Sequence, residues 1–289
     1  MTERFPVDRV GRMESKMAWQ LPERFQFGEH NIAWGVIGDG PPAVVMHGTP
    51  FSSLEWRRIA PWLARHRRVF YYDMLGYGQS AKPDTDVSRG MQNGLFAALC
   101  AHWDIDRPDI VAHDFGGSTA LRAHLIDGLD YRSLVLIDPV AISPQGSPLV
   151  QAAKANEGVF SELPAYIHEA ILRAYIGGAV RNPLRETEMK LYLDPWLGES
   201  GQKAFWRQVA QMDDKYSREV EWRYGEIRCP VSILWGADDD WIPLKDGEEL
   251  ARRIPAAQLI VIPDAKHLVP EDAPEAIVAA VLDFLPRAG

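Results

Sequence analysis

Short apolar runs of strand length alternate with longer stretches of helical periodicity through most of this chain, and nothing else constrains its fold as strongly. Ala43–Met46 reads as a buried strand followed by a helix over Ser53–Arg65, and Arg68–Tyr72 as a strand followed by a helix over Ser88–His102. Asp109–His113, Ser133–Ile137, Val231–Trp235 and Gln258–Ile262 are further strands, with helices expected over Gly116–Asp127, Lys245–Arg253 and Pro274–Leu285. Strands that are apolar on both faces and joined through helices pair in parallel, because each crossover helix packs back over the sheet. The expectation is an α/β protein with a mostly parallel, twisted sheet flanked by helices. The runs Glu23–Phe27 and Asn31–Ile37 form an antiparallel hairpin leading into it. In such sheets chemistry collects at the carboxyl ends of the strands. Gly48, Asp73, Asp114, Asp138, Asp239 and His267 all fall just after expected strands.

The alternation stops between about Val140 and Glu226. That stretch is helix-like, rich in Trp and Tyr, and punctuated by Pro144, Pro148, Pro164, Pro183 and Pro195. It reads as a helical cap over 140–225, inserted between a first core part at 1–139 and a second at 226–289. Most of its aromatics are expected to pack helix against helix, and a minority to face a pocket.

Composition narrows the partners. The 289 residues carry a formal net charge of -9 with a pI near 5.4, which argues against nucleic acid or an anionic membrane as a partner. Cys100 and Cys229 have neither metal-ligand nor disulfide spacing, and no histidine pair suggests a metal site. No segment reaches the length of a membrane span, and the charged start Met1-Thr2-Glu3-Arg4 has no apolar run behind it. The expected setting is cytoplasmic, without metal or cofactor, with a small apolar organic substrate and water as reactants. Oligomeric state is not readable.

Within the core, Ile110-Val111-Ala112-His113-Asp114-Phe115-Gly116-Gly117 reads as a strand, a sharp turn and a helix start. A strand–turn–helix of the form G-x-S-x-G lifts a serine nucleophile above the sheet, with small flanking residues that allow the bend. Here Ala112 and Gly116 are the small residues and Asp114 is the apex. A carboxylate at that point attacks saturated carbon and leaves an ester on the enzyme, which water must then cleave. The plainer alternative is that Asp114 caps the following helix.

Four other motifs accompany this one: His47-Gly48-Thr49-Pro50, Asp73-Met74-Leu75-Gly76-Tyr77-Gly78-Gln79-Ser80, Trp235-Gly236-Ala237-Asp238-Asp239 closed by Pro243, and His267-Leu268-Val269-Pro270-Glu271. With them the chain resembles, over nearly its whole length, the α/β-hydrolase fold family in its aspartate-nucleophile branch. That branch holds haloalkane dehalogenases, haloacetate dehalogenases and epoxide hydrolases. The resemblance implies Asp114 as nucleophile, His267 as the base that activates water, and Asp239 as the acid that orients His267. Asp138 is a reserve for the acid. The Thr49 and Phe115 amides are implied as an oxyanion hole, with His47, Gly48 and His113 in support.

The leaving group divides the readings. Haloalkane dehalogenases usually carry Trp after the nucleophile and haloacetate dehalogenases Arg, and Phe115 is neither. Epoxide hydrolases use cap tyrosines as proton donors. In Phe205-Trp206-Arg207, Trp206 stands in the place of such a Tyr, while Tyr166, Tyr175 and Tyr216 remain candidates. An indole N–H suits a halide and cannot protonate an alkoxide, so Trp206 as donor favours a dehalogenase over an epoxide hydrolase. Further alternatives are ester or lactone hydrolysis on the same scaffold and a ligand-binding receptor without turnover.

Overall fold

The computed structural model describes residues 19–285. Eight strands form one sheet: β1 (Glu23–Phe27), β2 (His30–Ile37), β3 (Pro42–Met46), β4 (Arg68–Tyr72), β5 (Asp109–His113), β6 (Ser133–Ile137), β7 (Val231–Gly236) and β8 (Gln258–Ile262). Their order is β1-β2-β4-β3-β5-β6-β7-β8. The hairpin β1–β2 and the pair β2–β4 are antiparallel; every pairing from β4 through β3 to β8 is parallel. This is the expected α/β architecture, with helices against the sheet.

The period of two along each strand sorts the core into two layers. Val44, Met46, Ile110, Ala112, Leu134 and Leu136 project into one layer, and Val45, Val111, Val135 and Ile137 into the other. All five residues of β5 and of β6 are buried, as central strands covered on both faces require. β8 lies at the edge and leaves Ile260 and Val261 exposed.

One expected helix is divided. Ser53–Arg58 is a 3₁₀ turn and Ala60–Leu63 a separate α-helical turn. Pro61 has no N–H for the Arg57 carbonyl, so a continuous helix cannot pass through it, and Pro61 sits in the first turn of the new helix instead.

Between β6 and β7 the described elements are all helical, from Pro148–Ala155 to the 3₁₀ turn Glu221–Glu226. The helix Gly198–Ala210 packs against Pro148–Ala155, Glu157–Ser161 and Ala165–Gly178. Trp196, Phe205 and Trp206 are buried there in edge-to-face ring contacts, whereas Tyr166 and Trp222 are exposed. Among the described residues no helix is long and apolar enough to cross a membrane.

Candidate active site

Asp114 follows β5 directly and has φ 49° and ψ −113°, outside the regions an L-residue ordinarily occupies. The tight turn depends on its neighbours being small. A Cβ on Gly116 would stand 2.4 Å from the Met46 carbonyl oxygen, and one on Gly48 2.7 Å from the Asp114 Cβ. Asp114 precedes the helix Phe115–Leu125, yet its side chain makes no cap hydrogen bond, so the plain capping role is not what it performs. Instead the carboxylate turns inward. Thr49 N–H donates to Oδ2 at 2.6 Å, while Oδ1 faces His267 Nε2 at 3.6 Å, longer than a hydrogen bond. Phe115 opens the helix, where a backbone N–H has no acceptor within the helix itself. Burial works to raise the Asp114 pKa, but the His267 charge and the Thr49 amide outweigh it and hold the carboxyl below the usual range.

His267 lies beyond β8 and is fully buried. Its Nδ1 bonds Asp239 Oδ2 at 2.8 Å. The three consecutive aspartates separate cleanly: Asp238 pairs with Arg181, Asp240 with Lys266, and Asp239 alone reaches the imidazole. Asp239 Oδ1 accepts from the Trp241 and Ile242 amides, which fixes the carboxylate plane. Burial works to lower the His267 pKa, and the carboxylates on either side raise it well above the ordinary histidine value. His267 Nε2 is buried without a hydrogen-bond partner, so the atom that faces Asp114 is free to engage a water or a substrate atom.

Asp138, the reserve acid, sits at positive φ after β6 and accepts from the Gly236 amide at 2.9 Å through Oδ1, while its Oδ2 has no partner. Burial, and then the neighbouring Asp239 charge, raise its pKa well above the usual carboxylate value. Both effects disfavour the Asp138 anion.

The supporting residues interlock. His47 Nε2 accepts from the Met74 amide at 2.9 Å, so its proton is on Nδ1 and is donated to the Gly48 carbonyl. His113 Nε2–H donates to the His267 carbonyl at 2.9 Å, and its Nδ1 faces Glu55 Oε1 at 3.2 Å. Glu55 is wholly buried and also accepts from the Gly48 amide. It links the two strand-end loops, and the sequence marks it only as one charge in an expected helix.

The His113, Asp138 and His267 side chains offer ligand atoms within 4.8 Å of one another. Both ring nitrogens of His113 and Nδ1 of His267 are already committed to protein partners. Two free atoms, His267 Nε2 and Asp138 Oδ2, do not make a metal site.

A cavity of about 590 Å³ opens above Asp114 and His267. Trp206 does not line it. The expectation of Trp206 as the leaving-group donor is thus corrected: the indole is fully buried, packs on Phe160 and Phe205, and donates its N–H to His168 Nδ1 at 3.2 Å. Tyr166 is exposed and Tyr216 donates to Ser88, which leaves Tyr175 as the tyrosine in the cavity wall among those three. Trp241 lines it too, stacked between Tyr175 at 4.3 Å and His267 at 4.9 Å. The Tyr175 hydroxyl and the Trp241 indole N–H have no hydrogen-bond partner among the described residues. Trp241 stands two residues after Asp239, and that adjacency was the signal available for it in the sequence.

Over residues 43–280 the chain matches the alpha/beta hydrolase family. It is 28% identical over 260 residues to a 2-hydroxy-6-oxo-2,4-heptadienoate hydrolase of Pseudomonas putida, covering 86% of this chain and 90% of that one. A crystal structure of an alpha/beta hydrolase fold protein from Burkholderia ambifaria is similar at 57% identity and TM-score 0.90, over 91% of this chain and 98% of that one. A haloalkane dehalogenase of Agrobacterium tumefaciens shares the fold at 20% identity and TM-score 0.76, over 91% and 96% of the two chains.

Proposed function

We propose, for a chain that belongs to the alpha/beta hydrolase family, hydrolysis at a saturated carbon through an ester on Asp114, with release of halide from a small halogenated substrate. The observation that carries this reading is the apex carboxylate itself. It is ionised, held by the Thr49 amide, open to a cavity, and faced by a histidine backed by a second carboxylate.

In the first step an Asp114 oxygen attacks the carbon in line with the carbon–halogen bond. The C–O bond forms, and the halide departs with the bonding pair. Asp114 is then a neutral ester. His267 loses one of the two anions that raise its pKa, so the imidazolium gives a proton to solvent and becomes a base. In the second step His267 Nε2 takes a proton from water and the resulting hydroxide adds to the ester carbonyl. The tetrahedral oxyanion faces the Thr49 amide. Collapse returns the Asp114 carboxylate and the alcohol, and the proton retained on His267 restores the starting pair. Asp239 holds the imidazole and balances its charge throughout.

His267→Gln separates the two steps. Ester formation proceeds and its hydrolysis stalls, so intact-mass spectrometry of the variant with a bromoalkane shows one alkyl adduct, which peptide mapping assigns to Asp114. An adduct on another residue, or none with a substrate the native enzyme turns over, removes the covalent role.

Tyr175 supports a second reading, epoxide opening, because an alkoxide leaving group needs a proton from a hydroxyl. Burial and the Asp114 charge raise the Tyr175 pKa, which keeps the hydroxyl a hydrogen-bond donor but makes it a poorer acid. A halide needs a donor only, and Trp241 N–H offers one; this favours dehalogenation. Trp241→Phe is expected to slow bromide release roughly 10- to 100-fold, the value of a hydrogen bond to an anion. If Trp241→Phe leaves bromide release unchanged and Tyr175→Phe abolishes diol formation from styrene oxide, the epoxide reading replaces the halide one.

A further inference from the structure

Arg89 begins the helix Arg89–His102, lines the cavity beside Asp114 and Phe115, and is 2% exposed. Cations are disfavoured in the first turn of a helix, where the backbone dipole is positive, so this placement is not a helix-forming choice. Each hydrogen-bond partner of its guanidinium is neutral. Nη1 donates to Ser118 Oγ at 3.2 Å, Ser217 Oγ at 2.9 Å and the Val140 carbonyl at 3.3 Å, and Nη2 to the Asp213 carbonyl. Nε has no acceptor. The other cations of the cavity wall, Lys154 and Arg218, are already matched, to Asp213 and Asp214 respectively. Arg89 forms no ion pair among the described residues.

A clamp between core and helical segment explains the Nη bonds, which a neutral amide side chain could supply in part. The Phe115 and Tyr216 rings lie 5.2 and 5.7 Å from the Arg89 guanidinium carbon, but they carry no formal charge and leave a whole positive charge unbalanced in the cavity wall. Burial lowers the Arg89 pKa to about 10, so the group remains cationic at pH 7. The nearby Asp114 stabilises that charge at a distance, and its own close contacts go to Thr49 and His267.

We infer that Arg89 is an anion subsite and that the substrate of this cavity carries a carboxylate, which pairs with the guanidinium while its reacting carbon faces Asp114. A carboxylate matches the planar fork of an arginine, and a single negative charge balances the single unmatched cation. A dianion would add repulsion from Asp114 and from Asp240 and Asp246, which also line the cavity. The inference deepens the proposed function, with an apolar body now joined to an acidic end, and rests on it for the reaction but not for binding.

The test is calorimetric binding of a matched unreactive pair, 4-phenylbutyrate and 4-phenylbutyramide, to the native protein at pH 7.5. The acid is expected to bind at least roughly 10-fold more tightly, as one charge-assisted hydrogen bond supplies. That preference should collapse in Arg89→Met and survive in part in Arg89→Lys, which keeps the charge without the fork. Equal or absent binding of the pair by the native protein overturns the inference without any variant, and so does an acid preference that persists in Arg89→Met. The corresponding bromo acid and bromo amide separate this idea from the reaction. Acid preference with no bromide release and no Asp114 adduct sinks the proposed hydrolysis and leaves the subsite. Bromide release from both at equal kcat/KM sinks the subsite and leaves the hydrolysis.

Discussion

Asp114→Asn is expected to lower kcat on a turned-over bromo substrate by on the order of 10⁶-fold, the scale of losing a covalent nucleophile. The amide has no anionic oxygen to attack carbon, and the two groups that face Asp114 cannot replace it: His267 Nε2 is opposite, and the Thr49 amide is a donor. The fold should survive. Asn tolerates the positive φ that Asp114 adopts, and its amide oxygen can accept from Thr49 while its NH₂ turns toward His267. Circular dichroism and thermal melting check this, and bromide release in single turnover measures the loss. A well-folded Asp114→Asn that keeps more than about a hundredth of native activity would place the nucleophile elsewhere, because a loss that small is less than removing a single oxyanion donor can cost.

Asp239→Asn is the second large effect, a loss in ester hydrolysis on the order of 10³- to 10⁴-fold. The carboxylate accepts from His267 Nδ1–H at 2.8 Å and from two backbone amides. An asparagine must present an NH₂ either to His267 Nδ1, which then carries no proton and holds the wrong tautomer, or to the Trp241 and Ile242 amides, which are donors themselves. Asp138→Asn should cost less than about tenfold. Asp138 makes no hydrogen bond to His267: one oxygen accepts from Gly236, the other has no partner, and burial disfavours its anion, so an amide of the same shape replaces it at small cost. Single-turnover rates of ester hydrolysis for the two variants give the ranking, and the reverse order would move the orienting acid to Asp138.

The positions and types of the strands were legible in the sequence because they are local properties. A run such as Ile110–Ala112 or Leu134–Ile137 is apolar at every position only if both faces are covered, and that implies a parallel sheet between helices. The division at Pro61 was legible in principle, since it follows from one missing N–H. The sequence also named Asp114, Asp239 and His267 together, through turn chemistry and motif order, and the fold brings these three strand-end loops to one point. Tertiary structure alone decided the rest. The partners of the two flanking aspartates, Arg181 for Asp238 and Lys266 for Asp240, depend on the direction each side chain takes from one loop. Trp206 was assigned to the pocket because it stands where the resemblance places a cap tyrosine, but that face of its helix packs against neighbours, and His168, distant in sequence, takes its N–H. Glu55 and Arg89 read as ordinary charges on helices. Their burial, and hence the electrostatics of the cavity, comes from segments far along the chain closing over them, and the residues beside them in the sequence carry no record of that.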